Sequence, residues 1–299
     1  MLEYGGGLVK IPYALTAAVD VPTRHLHMAY AIKQGFPRLG QTPIHPTDSI
    51  SIACYGPSLK DTWQSLTRPI MSVSGALQFL AERGVIPDYH VDMDPREEKV
   101  QQLTPVIDGV DYLMASVCHP RVWDLLRGQK VTLWHGVSGK ETLDFLKRYD
   151  PNQLLISGGS AVGLAAIQIG GLLGVRHFEI HGMDGSIRDG ERHAGPHYGH
   201  KQGGIQWDAG GVTYQTSKIM SNAVAEMLNM IEQFPIFCVF HGDGLQQALV
   251  REKHYENACC ADETEKAKHV REAVAHIYPM LSETEYKFWE TLNGRLVGA

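Results

Sequence analysis

The chain has 299 residues, 43% hydrophobic and 20% charged, and a formal net charge of −6. These values predict a soluble globular protein of one large domain or two smaller ones, with a core large enough to need no disulfides. They exclude a basic nucleic-acid footprint, and no apolar run reaches membrane-spanning length: residues 161–175 are too few and are interrupted by Gln168 and several glycines.

Residues 1–48 are irregular and carry prolines at 12, 22, 37, 43 and 46. They predict an arm packed on the main domain, or an oligomer contact, with a short helix over Thr23–Gln34. From Ser49 strands and helices alternate. Strands are predicted at Ser49–Cys54, Pro69–Val73, Pro87–Met93, Asp111–Ser116, Lys130–Trp134, Leu154–Ser157 and His177–His181. Helices are predicted at Leu59–Leu66, Ala76–Arg83, Arg96–Leu103, Pro120–Arg127, Lys140–Arg148 and Ser160–Leu173. Strands that are nearly continuous apolar runs, separated by helices, predict an α/β domain over residues 49–250. Its sheet is Rossmann-like, doubly wound and mostly parallel, with helices on both faces. Gly182–Gly211 breaks this rhythm. It is rich in Gly, His and Asp, and a long structureless loop in a compact domain is usually functional. A helix over Thr213–Gln233 and a strand over Pro235–Phe240 follow. A charged helical extension is predicted over 251–299, with Met280–Trp289 as its amphipathic piece and candidate partner face. The five cysteines, Cys54, Cys118, Cys238, Cys259 and Cys260, show no C-x-x-C spacing. An odd, scattered count without a signal peptide points to a reducing cytoplasm.

The turn Cys54-Tyr-Gly-Pro-Ser-Leu59 follows the first strand. Gly56 lets backbone approach a ligand, Pro57 suits the first turn of a helix, and Ser58 offers a hydroxyl and an N–H. Ligands of parallel α/β sheets sit at the carboxyl ends of strands, where this turn lies. An ordinary strand-to-helix turn is the alternative, and neither G-x-G-x-x-G nor the Walker pattern is present. Ser74, just past the second strand, is grouped with these nucleotide-binding candidates. In Pro87–Pro95, Asp92 lies between apolar strand residues, where a carboxylate costs free energy unless paired. Asp92 and Asp94 suit Mg²⁺ with nucleotide phosphates, or ribose hydroxyls. Asp94 before Pro95 also reads as a helix N-cap. Ser157, Gly158, Gly159 and Ser160 head an apolar helix, where free N–H groups and the helix dipole attract phosphate; a plain capped turn is the alternative. The loop that follows holds His181, Asp184, Asp189, His193, His197 and His200. Zinc is a minority reading, because Pro196 and the glycines oppose a regular helix and H-E-x-x-H is missing. One of the histidines is expected to act as acid or base near neutral pH. No G-x-S-x-G elbow supports a hydrolase triad.

The order of these motifs resembles the MptE-like domain family: G-P-S-L, then V-I-P-D-Y-H-V-D-M-D-P, then S-G-G-S-A-V-G running on to F-E-I-H-G-M-D-G. That family includes archaeal 6-hydroxymethylpterin diphosphokinases and bacterial motility accessory factors linked to flagellin glycosylation. The layout is also similar to bacterial CMP-sialic-acid-dependent sialyltransferases. The resemblance covers Ser49–Leu249. It implies that Gly56, Pro57, Ser58 and Ser157–Ser160 hold the nucleotide phosphate and sugar. It implies a histidine base, for which His200 in His197-Tyr-Gly-His200 matches best, with His193 as the other candidate and Asp184 as the acidic residue of G-x-D. The tyrosines that follow G-x-D in the sialyltransferases have no counterpart, since Gly185 and Ser186 stand there. The pterin enzymes imply that Asp92 and Asp94 hold Mg²⁺ and ATP. The expected protein is therefore a nucleotide-dependent transferase, glycosyltransferase-like and using a CMP-type sugar, with a small-molecule or glycan acceptor. An ATP- and Mg²⁺-dependent diphosphokinase and a catalytically inactive nucleotide binder are the alternatives.

Overall fold

The computed structural model describes residues 13, 15, 17–41, 48–151, 153–197, 204–234, 236–253 and 257–261. In chain order the elements begin with α1 (Val21–Lys33), β1 (Ser49–Ala53) and α2 (Leu59–Thr62), which runs into a 3-10 turn at Trp63–Ser65. Next come β2 (Ile70–Val73), α3 (Ala76–Ala81), β3 (Tyr89–Asp92), α4 (Lys99–Gln102), β4 (Asp111–Ala115) and α5 (Pro120–Leu125). Then follow β5 (Val131–Gly136), α6 (Lys140–Tyr149), β6 (Leu155–Ile156), α7 (Val162–Leu172) and β7 (His177–His181). The chain continues through β8 (Ile205–Ala209), β9 (Val212–Thr216), α8 (Lys218–Gln233), β10 (Phe237–His241), α9 (Leu245–Lys253) and β11 (Ala258–Cys260).

Among the described residues nine strands form one sheet in the order β11-β10-β7-β1-β2-β3-β4-β5-β6, and all their pairings are parallel. Helices cover it, so the fold is Rossmann-like α/β. The central strands are buried along almost their whole length, as an apolar strand covered on both faces must be. Trp123 and Trp134 fill the core and keep their indole N–H groups satisfied on the carbonyls of Cys118 (3.3 Å) and Leu113 (2.9 Å). All five cysteines are buried, and none forms a disulfide. From the N-terminal segment, α1 packs on α5 and α6 and is tied down by Arg24 to Ser138 and by His27 Nδ1 to the Val117 carbonyl (3.1 Å).

The topology places the site. Strands β1 to β6 step outward in one direction. The chain then crosses back through α7, which packs on β1, β2 and β3, and lays β7 on the other side of β1. Connections thus leave β1 in opposite directions, and the crevice between β1 and β7 is the switch point where open α/β sheets bind ligands. Apart from Gln168, the helix α7 is apolar, and most of it is buried; its glycines let neighbours in: a Cβ at Gly170 would lie 2.7 Å from Phe178 Cε1.

Several elements differ from the sequence-based expectation. Thr213–Thr216 belongs to β9, and α8 starts only at Lys218, with Ser217 as its N-cap. Gly210 and Gly211, at φ +57° and +77°, make a two-residue turn between β8 and β9. Positive φ at both positions matches the twist of a hairpin and overrides the helical spacing of the residues that follow. After α9 the chain is not wholly helical, because Ala258–Cys260 adds an edge strand beside β10. Such a short apolar run has no period that separates strand from helix. Met280–Trp289 lies outside the described residues.

Candidate functional site

At the switch point the loops after β1 and β7 are clamped together. Gly56 N–H donates to the Gly182 carbonyl at 2.8 Å. Ser58 gives both its N–H (2.8 Å) and its hydroxyl to the Asp184 carboxylate. Ser58 and Asp184 are buried. Burial pushes the Asp184 carboxyl up, and the two Ser58 hydrogen bonds oppose that shift. Glycine is required at this crossing, since a Cβ on Gly56 would stand 2.3 Å from the Gly182 oxygen. The structure therefore brings Gly56, Pro57, Ser58 and Asp184 together, with the Ser58 donors satisfied by the chain's own carboxylate. Pro57 adds its carbonyl, which accepts Arg188 Nη2 at 3.1 Å.

A second group lies over the ends of β2 and β3. Asp92 and Lys99 are both buried, and Lys99 Nζ stands 2.6 Å from Asp92 Oδ2. The other oxygen, Asp92 Oδ1, accepts the N–H groups of Met93 (2.8 Å) and Asp94 (3.1 Å). Burial alone would raise the Asp92 carboxyl, but Lys99 and His90 together hold it well below the usual carboxylate range. His90 is pushed down, mainly by burial, and its Nδ1 lies 3.0 Å from Ser72 Oγ. Lys99 also donates to Ser74 Oγ (3.2 Å) and to Gln102 Oε1. Ser74 sits at φ +51°, a region a non-glycine residue enters only when its surroundings hold it there. Asp94 binds Arg96 through both oxygens, at 2.9 and 2.6 Å. Asp92 and Asp94 are thus each matched to a cation. No cluster of three or more His, Cys, Asp or Glu side chains among the described residues is placed to hold a metal. The donor set as arranged does not fit Mg²⁺, which needs carboxylate oxygens free to coordinate.

Lys99 was not recognisable from sequence. Six residues separate it from Asp92, with no periodic spacing, and its fully buried ammonium contradicts the usual exposure of lysine.

The histidine loop folds over this group. Ala194 N–H donates to the Tyr55 carbonyl (2.9 Å), and Tyr55 O–H donates to the Pro196 carbonyl (3.2 Å). The His193 ring stacks on Tyr55 at 5.5 Å, and the His193 and His197 rings are 4.1 Å apart. Burial, aided by His197 and Arg192, lowers His193 to about 3. Burial, aided by the Lys99 and Arg96 charges, lowers His197 to about 4. Both rings are therefore neutral at pH 7. Between about pH 6.5 and 4 the unfolded chain takes up protons that the fold refuses, so stability falls as pH falls through that window. Thermal melts should show Tm decreasing from pH 6.5 to 4, with a shallower slope in the His193→Gln/His197→Gln variant. Parallel slopes would remove the pair as the source. His200 lies outside the described residues. His181 belongs elsewhere: it stacks on His241 at 3.9 Å between β7 and β10, and burial lowers it to about 3.

The turn of Ser157, Gly158, Gly159 and Ser160 leaves the far edge of the sheet, with β2, β3, β4 and β5 between β6 and β1. The start of α7 brings it back toward the centre: a Cβ on Gly163 would lie 2.9 Å from Cys54 Sγ and 2.7 Å from Met183 Cε. Its donors are engaged internally. Ser157 N–H and Oγ donate to Gln168 Oε1 (3.1 and 2.8 Å), and Ser160 N–H and Oγ both donate to Glu226 Oε2 at 2.7 Å. Glu226 of α8 thus sits where the sequence suggested a phosphate.

Two clefts open beside these groups. One of about 400 Å³ is lined by Tyr55, Gly75, Phe79, Gln102 and Pro196 among others. The other, of about 390 Å³, is lined by Asp184, Arg188, Tyr214 and Asp243 among others.

Fold and site together define a Rossmann-like α/β protein with its polar residues gathered at the carboxyl edge of a parallel sheet. The chain belongs to the MptE-like family, whose model, described as 6-hydroxymethylpterin diphosphokinase MptE-like, matches residues 25–190. Family membership supports a transferase-type function. Among solved structures it is similar in fold to the MAf glycosyltransferase from Magnetospirillum magneticum AMB-1, with a TM-score of 0.56 and 16% identity. That similarity covers 86% of this chain and 43% of the MAf chain, so the protein spans less than half the length of that neighbour. No curated protein matches the chain. No described helix is long and apolar enough to cross a membrane.

Proposed function

We propose that the protein is a nucleotide-dependent transferase that uses a nucleotide-activated, CMP-type sugar and passes the sugar to a hydroxyl of a small-molecule or glycan acceptor. The observation that carries this reading is the histidine loop, with the His193 and His197 rings 4.1 Å apart, folded over the Lys99–Asp92 and Arg96–Asp94 ion pairs at the end of β3. At His197 the two cations outweigh their carboxylates, and this net cationic field adds to burial in keeping the imidazole neutral. The donor phosphate lies in that field. The acceptor oxygen bonds the sugar carbon as the bond from that carbon to the phosphate oxygen breaks. The phosphate leaves with the electron pair, and the acceptor proton passes to the imidazole. Burial is the main cause that depresses His197; a bound phosphate offsets the Lys99 and Arg96 charges that add to it, so the histidine becomes a better base once the donor is in place. Gly56, Pro57, Ser58 and Ser74 frame the donor from the ends of β1 and β2, and Ser157–Ser160 reach it only if Glu226 and Gln168 yield.

Diphosphoryl transfer from ATP is the competing reading. It asks Asp92 and Asp94 to hold Mg²⁺, and both carboxylates are committed to cations. Thermal shifts with CMP, a CMP-sugar and ATP, each with and without Mg²⁺, separate the two. CMP-type ligands should stabilise the protein without metal; stabilisation by ATP alone, and only with Mg²⁺, overturns the proposal. His197→Ala should lower kcat by about 10²–10⁴-fold, the usual worth of a general base, with donor affinity little changed. Turnover equal to the parent's would remove His197 from the mechanism, leaving His193 and His200.

A further inference from the structure

The wall of the cleft beside Tyr55 holds a buried hydrogen-bond donor fixed in one orientation. Gln102 Oε1 faces the Lys99 ammonium and the Ser74 hydroxyl (3.4 Å). An ammonium only donates, so the atom facing it is the amide oxygen and the amide nitrogen points the other way. Gln102 Nε2 is buried and has no hydrogen-bond partner among the described residues, although the residue lines the cleft. A buried donor left unmatched costs free energy, and such an exception calls for an explanation. Gly75 leaves the room for this arrangement: a Cβ there would stand 2.8 Å from Gln102 Nε2 and 2.2 Å from Tyr55 Cε1. The adjoining walls are aromatic. Tyr55 and Phe79 both line the cleft, and Arg83 lies over the Phe79 ring at 3.6 Å. Aromatic walls with one fixed donor suit a flat heterocycle whose edge carries an acceptor oxygen.

Resting on the nucleotide-donor reading above, we propose that this cleft takes the base of the donor and that Gln102 is its specificity-determining residue, donating from Nε2 to a carbonyl on the base edge. Cytosine has such a carbonyl; adenine offers only ring nitrogens as acceptors. Lys99 and Ser74 are positioning residues, because they hold the amide oxygen and so aim the nitrogen.

Titration calorimetry with CMP and AMP tests this on the full chain and on Gln102→Glu. The glutamate keeps an oxygen for Lys99 and Ser74 but removes the N–H donors, so the fold should persist; equal Tm values in parent and variant check that. The parent should bind CMP more tightly than AMP. Gln102→Glu should shrink that preference by about tenfold or more, as expected when a site built to hydrogen-bond its ligand loses the donor. An unchanged CMP:AMP ratio in the variant, or a parent that prefers AMP, overturns the assignment of Gln102 while nucleotide binding stands. A parent that binds neither nucleotide overturns the donor reading itself, and this inference with it.

Discussion

Lys99→Met should destabilise the protein by about 3–5 kcal/mol at pH 7, the usual cost of breaking a buried ion pair from one side. The ammonium and the Asp92 carboxylate are both buried and 2.6 Å apart. Without Lys99, Asp92 keeps the N–H groups of Met93 and Asp94 but loses the charge that offsets its desolvation. The sign of the pH effect follows. In the parent, Asp92 is held below its unfolded value, so its contribution is present above about pH 3.9 and is lost as pH falls through the lower folded value. In Lys99→Met burial prevails, the folded value rises above the unfolded one, and the deficit narrows on acidification as the fold takes up the proton. Urea unfolding at pH 7 and pH 5 measures both effects. The Lys99→Met/Asp92→Leu double variant should recover much of the loss, because an apolar pair leaves no uncompensated charge. A deficit under about 1 kcal/mol would place the pair in the class of solvated surface bridges.

Gly56→Ala should cost about 3 kcal/mol, at the upper end for overpacking, or prevent accumulation of folded protein. The new Cβ would lie 2.3 Å from the Gly182 oxygen and 2.6 Å from Asp184 Oδ2. Neither can withdraw easily. The Gly182 oxygen accepts the Gly56 N–H, and the Asp184 carboxylate is held twice by Ser58. Gly136→Ala is the control. The nearest atom to its Cβ is Trp134 Cζ3 at 3.4 Å, an ordinary contact, so it should unfold within about 1 kcal/mol of the parent. Chemical unfolding of the two variants side by side reads the difference. Equal stability would mean that the crossing of the β1 and β7 loops is not close-packed. The same glycine was singled out in the sequence for letting backbone approach a ligand. In the fold the backbone that approaches it is the chain's own.

Much of the architecture was legible because burial leaves a local mark. A strand covered on both faces must be apolar at successive positions, and Ile52–Cys54 and Leu113–Ala115 are. Asp92 stood out for the converse reason: a carboxylate in such a strand needs a partner. The partner itself was not legible, and neither were the Glu226 that meets Ser160 or the Asp184 that meets Ser58, 66 and 126 residues away along the chain. Gly210-Gly211 did carry a hairpin signal, but the long helix that follows masked it.

Composition and apolar rhythm, properties of neighbouring residues, were enough for an α/β class with a ligand edge and for the turns and acidic residues along that edge. Which of those residues meet was set by strand order. The return of α7 across the sheet put β7 against β1, so Ser58 faces Asp184, and α8 packs on α7, so Ser160 faces Glu226. The short loop after β3 buried Lys99 against Asp92 beneath the histidines. These contacts join segments remote in sequence, and their energy comes from burying matched charges and donors together, a quantity that no local pattern of residues encodes.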